Sequence, residues 1–128
     1  MSKLLKGTHH ICLNPRDAEE FEKAVSFYRD VLGMEVVRSY DGFAMLDTGD
    51  GTVMELYIGS REDGTGNINH FAFRTDDVDA CVAAVTAAGH PITDGPRNLS
   101  LPCDPPYPIR IAFTVGVLGE SIEFFQEC

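Results

Sequence analysis

Basic residues are scarce in this chain. Ten Lys and Arg stand against twenty Asp and Glu, giving a formal net charge of −10 and a pI near 4.6. A phosphate backbone is held by clustered cations, so nucleic acid is excluded as a partner. The acidity is spread along the chain and forms no tail, which favours solubility. Cysteine is also sparse: Cys12, Cys81, Cys103 and Cys128 include no Cys-x-x-Cys pair and are too few for a disulfide scaffold at 128 residues. Free thiols in a reducing cytoplasm are expected. Long apolar runs are missing too. The segment from Met1 to Lys6 is too short and polar for a signal peptide, and the most apolar stretch, Ile111 to Leu118, is far too short to span a bilayer. The expectation is a soluble cytoplasmic protein with no membrane partner.

Hydrophobic residues make up 44% of the chain, which excludes disorder and fits one compact domain or two small modules sharing a core. Thr8 to Asn14 reads as a strand with His10, Cys12 and Asn14 on one face, stopped by Pro15. Ala18, Phe21, Val25, Tyr28 and Leu32 form an apolar stripe that predicts a helix from about Asp17 to Leu32, ended by Gly33. Three strands follow: Glu35 to Tyr40, Phe43 to Asp47 after an Asp41-Gly42 turn, and Thr52 to Ile58.

Gly59 to Asn67 reads as a linker, and then the plan restarts. Ile68 to Arg74 is a strand with His70, Ala72 and Arg74 on one face. Asp76 or Asp77 caps a helix from about Val78 to Ala88, ended by Gly89. Six of the seven prolines fall between Pro91 and Pro108, so any strand there should be short or irregular, and the segment is expected to rim a pocket. Ile109 to Val115 and Ser121 to Gln126 close the pattern. The chain is therefore read as an α+β protein of two β-α-β-β-β modules, about 7–58 and 68–126, joined by linker 59–67 within one domain.

Each copy places one His on its first strand and one Glu on its last. His70 follows His10 by 60 residues, and Glu123 follows Glu55 by 68. A lone strand His is more often structural than a ligand, and His9 points away from the face of His10. His10 is preferred to His9 because His10-Ile-Cys-Leu-Asn parallels His70-Phe-Ala-Phe-Arg. Glu55 and Glu123 sit in apolar strands, sharing a face with Val53, Tyr57 and Phe125. A carboxylate in such a strand faces solvent or needs a cation. Two-fold packing of the copies would bring His10, Glu55, His70 and Glu123 to one divalent metal. Equal nitrogen and oxygen donors suit Ni, Co, Zn, Mn or Fe(II), and the lack of thiolates argues against a purely structural zinc.

With these four residues and the run from Phe21 to Met34, which carries Phe-Tyr-x-x-Val-Leu-Gly-Met, the chain resembles the glyoxalase I/vicinal oxygen chelate superfamily over nearly its whole length. The resemblance implies paired modules forming a curved, half-open barrel around a metal, and a homodimer in many members. The four-ligand set His-Glu-His-Glu looks like glyoxalase I (lactoylglutathione lyase). Extradiol dioxygenases have no ligand matching Glu55, and methylmalonyl-CoA epimerases usually carry Gln there. The chain departs from bacterial glyoxalase I at Asn14, where an Arg helps bind the glutathione carboxylate, and at Gly59, where an Asn stands.

The resemblance implies a metal-dependent isomerase or lyase in which Glu123 removes a proton next to a carbonyl and Glu55 returns it. The substrate is a small molecule, a 2-oxo aldehyde thiol adduct or related vicinal-oxygen compound, reacting through a metal-stabilised enediolate. Arg74, at the repeat position of Asn14, is a candidate anion contact. Asn14, Tyr57 and Phe125 are further candidates to line the substrate cavity. The alternatives are a non-catalytic drug-binding protein of the same fold and an Fe(II) extradiol-type dioxygenase.

Overall fold

The structure, a computed structural model, describes residues 3–59, 68–117 and 119–128. The expected linker beyond Gly59 lies outside the described residues. The elements run β1 (Thr8–Leu13), α1 (Ala18–Ser26) continued by a π-helical turn (Phe27–Val31), β2 (Glu35–Tyr40), β3 (Phe43–Asp47), β4 (Val53–Tyr57), β5 (Ile68–Arg74), α2 (Val78–Ala87), β6 (Ile92–Leu101), β7 (Tyr107–Val115) and β8 (Ser121–Glu127). This is the α+β, twice-repeated β-α-β-β-β order expected from the sequence. Two compact units result. One is His10–Asn69, and the other joins His70–Cys128 to Met1–His9.

In the first unit the strand order is β2-β3-β4-β1, with β1 parallel to β4 and the other neighbours antiparallel. Asp17 starts α1 because its extended backbone lets the side chain accept the Glu20 N–H at 2.8 Å. Phe21 and Val25 then pack on Ala44, Leu46 and Leu56, with Leu13, Tyr28 and Met34 around them. The predicted stripe fails at its ends. Ala18 is exposed, and the wider π turn, marked by the Leu32 N–H to Phe27 carbonyl bond, rotates Leu32 to 55% exposure.

In the second unit the order is β5-β8-β7-β6, again with the first and last strands parallel. Asp77, not Asp76, caps α2 by accepting the Ala80 N–H at 3.0 Å. Val78, Cys81, Ala112 and Phe124 form the core beneath it. The proline-rich segment is irregular as expected, with register shifts between Ile92 and Arg97, but it is not short: β6 runs for ten residues against β7. Its position at the end of the strand order explains this. An edge strand needs only one side of its backbone paired, so the missing N–H of Pro96 costs little.

Residue identity hides the repeat, whereas strand register displays it. Cys12 stands opposite Glu55 and Ala72 opposite Glu123, each two residues after the strand's His. Across the next ladder Met45 faces Glu55 and Phe113 faces Glu123. The caps Asp17 and Asp77 are 60 residues apart, the same offset as the histidines.

Candidate metal centre

The register just described puts His10 and Glu55 on one face of the first unit, and the same relation puts His70 and Glu123 on one face of the second. Within each unit the two side chains meet. His10 Nε2 lies 3.3 Å from Glu55 Oε2, and His70 Nε2 lies 3.0 Å from Glu123 Oε1. All four residues are buried: His10 0% exposed, Glu55 8%, His70 8% and Glu123 4%. The reading in which both carboxylates face water is thereby excluded. Val53 beside Glu55 and Phe125 beside Glu123 are buried as well, as an inward face requires.

The donor set fits a divalent ion. Nitrogen and oxygen ligands sit about 2.1 Å from a first-row metal, so two of them are about 3.0 Å apart at a right angle and about 3.4 Å apart at the tetrahedral angle. The separations in both pairs fall in that span. The same distance suits a hydrogen bond, so each pair can be satisfied by a proton or by an ion between its donors. Buried imidazole and carboxylate without thiolate are the oxygen- and nitrogen-rich type of set such metals take. Cys12, whose Ala72 counterpart shows how little room the position needs, is a small buried filler at 1% exposure.

His9 has other work. Its ring stacks on Phe125 with centroids 3.9 Å apart, and Nε2 lies 2.9 Å from Tyr107 Oη. The single Tyr107 hydroxyl hydrogen goes to Glu127 Oε2 at 2.7 Å, so His9 Nε2–H is the donor to Tyr107. Glu127 in turn reaches Arg74 Nε at 3.7 Å. The sequence signals that His9 turns away from His10 but not that it joins this chain of bonds, because Tyr107 lies 98 residues away.

The other expected pocket residues are placed as follows. Arg74 is about a third exposed and pairs with Glu127, while Asp76 is bound by Lys6 and Asp77 caps α2. Asn14 is buried and its Nδ2 donates to the Tyr57 carbonyl at 2.9 Å. A side chain at Gly59 would press on that same Asn14 amide, so the two positions that depart from bacterial glyoxalase I are spatial neighbours. Tyr57 is 49% exposed and Phe125 only 1%. None of the four cysteines is in a disulfide, and burial pushes the Cys81 thiol up, which makes it less reactive. Among the described residues no helix is long and apolar enough to cross a membrane.

No curated protein matches the chain significantly. Solved structures do. The chain is similar to methylmalonyl-CoA epimerase from Mycobacterium tuberculosis, at 22% identity and a TM-score of 0.77, covering all of this chain and 92% of that one. It is also similar to a variant of Streptomyces coelicolor methylmalonyl-CoA epimerase in complex with 2-nitronate-propionyl-CoA, at 30% identity and a TM-score of 0.69 over 95% of this chain and 97% of that one. A methylmalonyl-CoA epimerase in complex with methylmalonyl-CoA and ammonium gives the same identity and score, covering 95% of this chain and 94% of that one. The superfamily model matches residues 7–99, most of the chain and all of its first unit, and the chain belongs to the Glyoxalase/Bleomycin resistance protein/Dioxygenase superfamily.

Proposed function

We propose that the chain is a metal-dependent isomerase that moves a proton at a carbon next to a carbonyl. The carrying observation is the matched pair of buried imidazole–carboxylate contacts, one in each unit. In this reading His10, Glu55, His70 and Glu123 hold one divalent ion, with both pairs drawn from one chain or from two copies in a homodimer. Bound there, Ni, Co or Zn, or alternatively Mn or Fe, supplies a Lewis acid that polarises the carbonyl and stabilises negative charge developing on oxygen. Glu123 takes the proton, and Glu55 returns it from the opposite side. Two carboxylates in near-equivalent settings suit a reaction that must run in both directions. Arg74 and Tyr57, which keep exposed surface, contact the substrate, while Asn14 and Phe125 shape the wall from beneath.

Two substrate classes fit this chemistry. Glu55, where epimerases usually carry Gln, favours a 2-oxo aldehyde thiol adduct, the lactoylglutathione-lyase type of reaction. The likeness to epimerases at 30% identity favours a branched malonyl thioester of coenzyme A. Both are thiol-linked molecules with an acidic C–H next to a carbonyl, on the sulfur-bearing carbon in the adduct and beside the thioester carbonyl in the coenzyme A compound. The test is to purify the protein without added metal, measure bound ions by plasma mass spectrometry, and assay both substrates before and after chelation. Turnover of either one that is lost on chelation and restored by Ni, Co or Zn is expected. Absence of metal together with ligand binding but no turnover would leave the drug-binding reading. Bound Fe(II) with ring cleavage would establish the dioxygenase.

A further inference from the structure

The duplication makes each unit a control for the other. In the first unit Leu13, Val25, Leu46 and Leu56 gather under α1, and Tyr28 and Met34 pack against them. The repeat offsets of 60 and 68 turn these four positions into Phe73, Val85, Thr114 and Phe124. In the second unit those four counterparts line a cavity of about 460 Å³. The helices explain the difference. From cap to terminating glycine, Asp17 to Gly33 is 16 residues, whereas Asp77 to Gly89 is 12. The second helix is short by about one turn. The position matching Tyr28 is an exposed Ala88, and the helix has ended by Gly89. Space filled by protein in one copy is open in the other.

This cavity is remote from the metal ligands. Phe73, Ile122 and Phe124 alternate along their strands with Ala72 and Glu123, so they face the other side of the sheet. Its walls are almost wholly apolar, and its volume falls within the roughly 300–1,000 Å³ of ordinary ligand pockets. Of the polar side chains that line it, Thr114 donates its hydroxyl hydrogen to the Pro91 carbonyl at 2.7 Å, and His90 and Glu120 are the other two. His90 Nδ1 bonds the Val115 carbonyl at 2.9 Å, and a carbonyl can only accept. Nδ1 therefore carries the hydrogen, and in the neutral ring Nε2 presents a lone pair. Glu120, the second, folds so tightly over Gly116 that any side chain there would collide with its carboxylate. Both groups are acceptors, in a chain of net charge −10.

We propose that this cavity is a binding site for a small apolar amine, whose hydrocarbon body takes the place of the missing helical turn and whose ammonium is received by Glu120 and His90. The experiment is a titration of the isotope-labelled full chain with 4-phenylbutylamine, followed by amide NMR, with 4-phenylbutanol and 4-phenylbutyrate as controls. Saturable shifts confined to Val85, His90, Val115 to Val117 and Glu120 are expected. The amine should bind about fivefold more tightly than the alcohol, as one partly exposed charge-assisted contact provides. Glu120→Gln should abolish that preference while leaving the fold intact, and Val85→Phe should fill the cavity and remove binding of all three. The proposal is overturned by an absence of saturable shifts up to about 10 mM, by equal binding of the butyrate, or by shifts centred on His10 and His70. It is equally overturned if the cavity signals respond to protein concentration instead of ligand, which would mean a second copy covers the site.

Discussion

Replacing Glu123 by Gln separates the general-base role proposed for it from its structural one. The residue is 4% exposed and 3.0 Å from His70 Nε2. Gln has the same shape, and its amide oxygen still accepts from His70, so the pair persists. Exchanging a charged acceptor for a neutral one costs the fold about 1 kcal/mol, too little to unfold it. An amide cannot take up the substrate proton. Losing a positioned general base lowers kcat by about 10²–10⁴-fold, or roughly 3–5 kcal/mol of barrier. Exchange of the substrate's acidic hydrogen in deuterium oxide, followed by NMR beside kcat and metal content, reads the effect. In Glu55→Gln, exchange should survive on the Glu123 side while net conversion fails, because the first step remains and the second is lost. A Glu123→Gln protein with intact metal and kcat within about threefold of wild type would refute the assignment of the base.

Other outcomes follow from the same geometry. Tyr107→Phe leaves the buried His9 N–H without its acceptor and should cost about 1–3 kcal/mol, measurable as a lower urea midpoint with unchanged slope. Asp17→Ala and Asp77→Ala remove equivalent helix caps and should each cost about 1 kcal/mol in the same assay. Leu56→Ala empties a fully buried position in the first unit and should cost about 2–5 kcal/mol. The Arg110 guanidinium holds the Asp79 carboxyl below its ordinary value through two hydrogen bonds. The folded pKa is the lower one, so this contact's stabilisation is present above about pH 4 and lost as pH falls through it. Arg110→Gln should therefore lower the urea midpoint at pH 7, with the difference from wild type shrinking as pH falls through the lowered pKa of the folded state.

How much of this was legible in the chain depends on which interactions are local. Strands Glu35–Tyr40, Phe43–Asp47 and Ile68–Arg74 end where turn residues and alternation say they should. The His–Glu pairing was legible because period-two alternation fixes the face of a side chain once its strand is known. The exact partner at the start of α2 was not, since Asp76 and Asp77 are equivalent on paper and only backbone geometry selects Asp77. The π turn left no mark, because Phe27, Tyr28, Val31 and Leu32 satisfy an ordinary helical stripe equally well. Reading the prolines as strand breakers underestimated β6, because it ignored that an edge position forgives them. The hydrogen bonds from His9 through Tyr107 to Glu127, and the ion pair from there to Arg74, join distant segments, and no local pattern encodes them.

The equal registers of the two units have a bearing on how such a chain can change. Between the glycine that ends the helix and the residue facing the carboxylate there are 12 positions from Gly33 to Met45, but 24 from Gly89 to Phe113. Most of that added length is taken up before the third strand of the repeat and the rest extends the start of that strand, so none of it reaches the parallel ladder on which His and Glu are counted. The outer segments are thus free to lengthen, bulge and acquire prolines, so a new guest could be accommodated there without moving either imidazole from its carboxylate.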